Sequence, residues 1–128
     1  MDFAIKSNES DLKVRFSDRA GDEFLVQLSS SNLTAARGVS AYTDRLGLAN
    51  FLEWISRQEK PWPEEISWET LEGEFKIFAT CSSLGAITFR ILISNLCGGE
   101  DWKVETLLRS DLGQLPEMAR GAKAFFSD

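Results

Sequence analysis

The chain contains no histidine. That absence removes the commonest general base, the commonest metal ligand and the usual partner of a serine or cysteine nucleophile. A Ser–His or Cys–His arrangement therefore cannot be assembled from its own residues. Cysteine is scarce as well. Cys81 and Cys97 are the two present, too few for a disulfide framework and, without histidine, too few for an ordinary structural zinc site. They read as reduced thiols, with a single bridge between them left open by the sequence. Cys97, before Gly98-Gly99, is the more loop-like of the two and reads either as a semi-buried turn cysteine or as a reactive thiol. No apolar run approaches the ~18 residues of a spanning helix. The N-terminal MDFAIKSNESD lacks the basic and apolar regions of a signal peptide. The expected setting is the cytoplasm, with no membrane partner.

Basic residues are outnumbered, 14 against 20 acidic, for a net charge of −6. This balance opposes the phosphate neutralisation on which nucleic-acid binding rests, so no nucleic acid is expected. It is compatible with a basic protein partner. A glycine-rich phosphate loop is missing, and Gly98-Gly99 reads as hairpin chemistry. Asp18, Asp22 and Glu23 gather around Gly21 without the spacing of a calcium loop, which suits a solvated turn. With so many carboxylates any pair can be nominated for proton transfer, so no pair is singled out. The expectation is a non-enzymatic protein without catalytic residues, cofactor or metal.

What is present is ample for a core. The 128 residues are 43% hydrophobic, with nine Phe and four Trp, and fit one domain over residues 1–128 that buries roughly two-thirds of its unfolded surface. Period-two alternation dominates the first third: Phe3 and Ile5; Leu12, Val14 and Phe16; Phe24, Val26 and Leu28; then Ala35, Val39 and Ala41. Asn8 to Asp11 and Ser17 to Asp22 read as connections, and Gly38 suggests a bulge or bend. The period changes after Thr43-Asp44. Leu48, Phe51, Leu52 and Ile55 predict an amphipathic helix of about four turns, with Thr43 or Asp44 as N-cap and Lys60-Pro61-Trp62-Pro63 ending it. Trp54 flanks its apolar stripe.

Phe75, Ile77, Ala79 and Cys81 predict the next strand, and Ser82 to Gly85 a hairpin loop. Ile87, Phe89, Ile91 and Ile93 return, and Trp102, Val104, Thr106 and Leu108 make a third consecutive strand with Trp102 in a core position. Leu112, Leu115, Ala119, Ala122 and Phe126 follow at helical spacing, with Pro116 in the helix's first turn. The expected architecture is α+β: a mainly antiparallel sheet of about seven strands with two helices, in the order ββββαβββα, without an internal repeat.

The strongest functional signal lies between the predicted helix and the core hairpin. Glu64, Glu65, Glu69, Glu72 and Glu74 fall within eleven residues, in a stretch that opens with Trp62 and carries Trp68, and the nearest following base is Lys76. If extended, Glu72 and Glu74 share a side. Two readings follow. Either Trp62 and Trp68 close the edge of the core over solvated glutamates, or Trp62 anchors a partner that Glu64, Glu65, Glu69 and Glu72 attract.

ISWETLEGEFKIFAT, SLGAITFRILI, Trp102-Lys103-Val104 and SDLGQLPEMARGAKAFF together resemble a bacterial family of unknown function whose members are small and acidic. The resemblance runs over roughly residues 62 to 126. Such proteins are similar to the immunity proteins of polymorphic toxin systems. The family implies no catalytic residue. It shows a glycine-flanked tryptophan where Trp62 here stands between Pro61 and Pro63. The resemblance implies a cytoplasmic binding module that neutralises a toxin-like protein; the charge and aromatic pattern, read separately, nominates Trp62, Glu64, Glu65, Glu69 and Glu72 as its contacts with a basic partner. A structural protein that self-associates, as a homodimer, is the alternative; a histidine-free hydrolase is the third.

Overall fold

The computed structural model describes residues 2–96 and 99–127. Alternation of apolar and polar side chains gives strands β1 (Phe3–Lys6), β2 (Lys13–Ala20), β3 (Glu23–Ser30) and β4 (Leu33–Ser40). Each pairs antiparallel with the next, and helix α1 (Gly47–Ser56) follows. The same order then recurs: β5 (Ile66–Glu69), β6 (Phe75–Cys81), β7 (Ala86–Asn95) and β8 (Trp102–Asp111) form a second antiparallel sheet. A single 3-10 turn at Leu112–Gln114 leads into helix α2 (Leu115–Phe126), with Pro116 in its first turn.

The fold is α+β, but the eight strands among the described residues make two four-stranded sheets rather than one sheet of about seven. The extra strand is β5. Its four residues alternate correctly, with Ile66 and Trp68 opposite the buried Ala79 and Ile77 and with Ser67 and Glu69 outward. They are too few for the period to stand out among glutamates. The element order also repeats, ββββα twice, which apolar spacing alone does not reveal.

Both sheets turn their apolar faces to one core. Val14, Phe16, Val26 and Leu28 of the first meet Phe75, Ile77, Phe89 and Ile91 of the second, all fully buried. The Phe16 and Phe75 rings join the sheets edge to face at 5.8 Å. Phe125 and Phe126 of α2 pack edge-on against Phe3 and Phe24 of the first sheet. Full burial of one such ring is worth roughly 1.5–3 kcal/mol.

Three local expectations are corrected. Ser17 to Ala20 is strand, not connection. The β2–β3 register shifts there, Asp18 takes φ 55°, and the hairpin loop shrinks to Gly21-Asp22, with Gly21 supplying φ 64°. The irregularity foreseen at Gly38 is absent, because β3 and β4 pair without interruption from Glu23↔Ser40 to Ser30↔Leu33. Helix α1 spans ten residues, with Leu46 rather than Thr43 or Asp44 at its N-cap and no side-chain cap. Asp44 instead accepts a hydrogen bond from Trp68 Nε1 at 2.9 Å. The helix ends at Ser56, before the Pro61 to Pro63 stretch is reached.

Arg19, read from sequence as part of a polar connection, has a structural task. Its Nε donates to Phe125 O at 2.7 Å and its Nη2 to Ser127 O at 2.9 Å. It thereby fastens the β2 bulge to the carbonyl end of α2, where a cation is favoured.

Candidate functional site

The acidic segment begins where the chain leaves α1. Arg57 closes the helix, and the chain then turns back so that Trp62 enters the core, 6% exposed. Its indole Nε1 donates to Ala79 O at 3.2 Å. A buried tryptophan with its N–H satisfied is a packing residue. Of the two readings of Trp62, the one in which it closes the edge of the core fits, and the exposed anchor does not. That exposed position belongs to Trp54. Its ring meets Trp62 edge to face, with centroids 6.1 Å apart, and stands 47% exposed on α1. The expectation that Trp54 flanks the core holds on one side only; its other side faces solvent.

Trp68 is half-buried against Phe75 and reaches across to Asp44. This crossing explains Gly47. A Cβ there would fall on Trp68 Nε1 and the Asp44 carboxylate, so the first residue of α1 must be glycine for β5 to come this close.

The five glutamates separate into three kinds. Glu65 and Glu69 are answered within the molecule: Arg90 Nη2 lies 3.1 Å from Glu65 Oε1, and Lys76 Nζ 3.5 Å from Glu69 Oε2. Arg90 does more than pair, for its Cζ sits 3.8 Å over the Phe78 ring and its Nη1 lies 3.3 Å from Glu105. Stacking and two carboxylates hold this guanidinium across the outer face of the second sheet. Glu64 and Glu72 are exposed and have no ion partner among the described residues. Glu74 is buried.

Glu72 and Glu74 part company because the segment is not extended there. Thr70 to Phe75 is a tight turn. Thr70 N donates to Phe75 O, Phe75 N donates to Thr70 Oγ1, and Gly73 adopts φ 76°. Glu72 is thrown outward. Glu74 turns inward, with Ser94 N donating to its backbone O at 3.0 Å.

Of the sequence-predicted set, then, Glu64, Glu65, Glu69 and Glu72 lie at the surface, and Trp62 beneath it. Arg90 and the exposure of Trp54 were missed, and Glu74, read as sharing a side with Glu72, is buried instead. The register Phe78↔Arg90 is the signal that would have found Arg90, and it requires knowing which strands pair.

Cys81 is a half-buried free thiol whose Sγ lies 3.6 Å from Ser82 O. Burial pushes its pKa up, against a smaller lowering by the Trp62 backbone, so the protonated, unreactive form is favoured. The thiol proposed at Cys97, and any pairing with Cys81, lie outside the described residues. Among the described residues no three or more acidic, cysteine or histidine side chains converge as a metal would require. Among the described residues no helix is long and apolar enough to cross a membrane.

No curated protein sequence matches the chain. A crystal structure described as trypanosoma bruciei MRP1/MRP2 aligns at 12% identity and a TM-score of 0.47, covering 97% of this chain and 81% of that one. Residues 5–128 match a family of unknown function, DUF6228, across both sheets and both helices, and the chain belongs to that family.

Proposed function

We propose that this chain is a non-enzymatic binding module of the immunity-protein kind, which holds a basic, toxin-like bacterial protein in the cytoplasm and neutralises it by occlusion. The observation that carries the reading is Trp54. A half-exposed tryptophan, fixed edge-on by a buried one, gives a partner a rigid apolar anchor that loses little entropy on docking. Glu64 and Glu72, with no ion partner among the described residues, supply charge free to steer a cation-rich surface. Glu65 and Glu69 contribute less, since Arg90 and Lys76 offset their field.

The test is co-expression with the product of the adjacent gene, scored by rescue from toxicity and by binding kinetics. Trp54→Ala should leave folding intact and raise the off-rate roughly tenfold or more, as for an interface anchor. The pair Glu64→Lys and Glu72→Lys should slow association and flatten its dependence on salt. Absence of rescue and of binding would remove the reading; binding indifferent to all three substitutions would remove this surface from it.

A further inference from the structure

Glu74 poses a question that the acidic surface does not answer. It is 9% exposed, and Oε1 is buried without a hydrogen-bond partner. A buried carboxylate oxygen without a protein donor is costly, and native structures rarely tolerate one without cause. The cation on the same wall is not its counter-ion. Arg37 donates from Nη1 to Ser94 O and Asn95 Oδ1, both at 2.7 Å, and from Nε to Gly38 O. No ion pair joins Arg37 to Glu74 among the described residues.

Glu74 lines a cavity of about 520 Å³ at the margin of the first sheet, together with Asp18 from the β2 bulge, Glu23, Phe24, Arg37 and Val39. Asp18 and Glu23 form no salt bridge among the described residues. Asp18 acts on Arg15 only at a distance, because Asp2 takes that guanidinium. The cavity thus gathers three carboxylates and one committed guanidinium, with apolar wall from Phe24 and Val39. A hollow of about 480 Å³ between β1 and α2 makes the contrast, for its Arg15 is already answered by Asp2.

We infer that this cavity binds an alkylammonium group, with Glu74 as its principal counter-ion and Asp18 and Glu23 at the rim. The carboxylates do not converge as a compact metal ion would need. They are spread along a wall that is partly hydrocarbon, which suits an amine carried on a methylene stem. The inference stands apart from the partner surface at Trp54. The same chemistry could reach the cavity as a free diamine or as a lysine side chain.

Titration with 1,4-diaminobutane and with a blocked Gly-Lys-Gly peptide, at constant ionic strength, separates those two sources. Saturable binding of either, with shifts in the amide resonances of Gly38 and Glu74, supports the site and identifies the source. Glu74→Gln should weaken that binding roughly tenfold, the scale of a charge-assisted hydrogen bond. Should Glu74→Gln fail to fold, Asp18→Asn combined with Glu23→Gln reads the same question, since Asp18 and Glu23 are exposed. Absence of saturable binding by both probes overturns the inference. So does binding undiminished by these substitutions, or matched by potassium chloride at equal ionic strength.

Discussion

Two acidic regions of this molecule lie a few residues apart and differ in what surrounds them. At the start of β5 the Glu65 carboxylate meets Arg90, which reaches over β6 from β7, and at its end Glu69 meets Lys76 directly opposite on β6. At the other end of the β5–β6 turn, Glu74 enters the interior with no such partner. In the sequence all belong to one run of glutamates. The difference teaches that a count of carboxylates does not measure available charge. Strand pairing decides it, because outward side chains in antiparallel strands meet their cross-strand neighbours whatever their distance along the chain.

Phe75 joins the two regions and offers the strongest way to break the comparison. It follows Glu74, packs on Trp68 at 6.1 Å and on Phe16 at 5.8 Å, and is fully buried. Phe75→Ala should cost about 3–5 kcal/mol in denaturant unfolding. Both acidic regions should then loosen together in amide exchange. Exchange confined to one of them would mean that they are supported independently.

Gly47→Ala comes next and acts on the β5 side alone. In most helix positions that change gains stability, by about 1 kcal/mol. Here the methyl group must displace the half-buried Trp68 ring or the Asp44 carboxylate, so the sign should reverse to a loss of about 1–3 kcal/mol. Thermal unfolding checks the sign, and a tryptophan fluorescence shift checks the cause.

The smallest effect belongs to Arg90→Ala. Its side chain is 35% exposed, so loss of two surface pairs and the Phe78 stack should cost only about 1 kcal/mol. The substitution releases Glu65 and Glu105 from their cation. Association with a basic partner should therefore speed up and grow more sensitive to salt. An unchanged rate would show that Glu65 already faces the partner in full.

The legible parts of the fold are those whose pattern is long. Val14 with Phe16, Phe24 to Leu28, Ile87 to Ile93 and Trp102 to Leu108 alternate clearly enough to fix strand and face, and the Pro116 helix start follows from one residue's chemistry. Short or contested segments were not legible. Strand β5 has four residues, and Asp44 forgoes its expected cap to receive Trp68. In the acidic segment Glu64, Glu65, Glu69 and Glu72 lie at the exterior, whereas Glu74 is buried. For Trp62 the core-edge reading holds and the anchor reading does not, because the indole is buried and donates to the backbone of Ala79. Local composition does not report whether an aromatic ring has an inward vacancy to fill.

By itself the sequence determined that this is an antiparallel α+β protein with an aromatic core, without histidine chemistry, and with a concentration of carboxylates before Phe75. Those properties depend on residue type and on periods of two and 3.6, which are local. Only the tertiary structure decided that the strands divide into two sheets, that Trp54 rather than Trp62 reaches solvent, and that Arg90 and Lys76 answer two glutamates while Glu74 goes unpaired. These outcomes depend on which strands become neighbours. Burial and charge pairing are properties of distance in space, and residues 17 or 25 positions apart, such as Trp62 with Ala79 and Glu65 with Arg90, acquire that closeness only when the sheet forms.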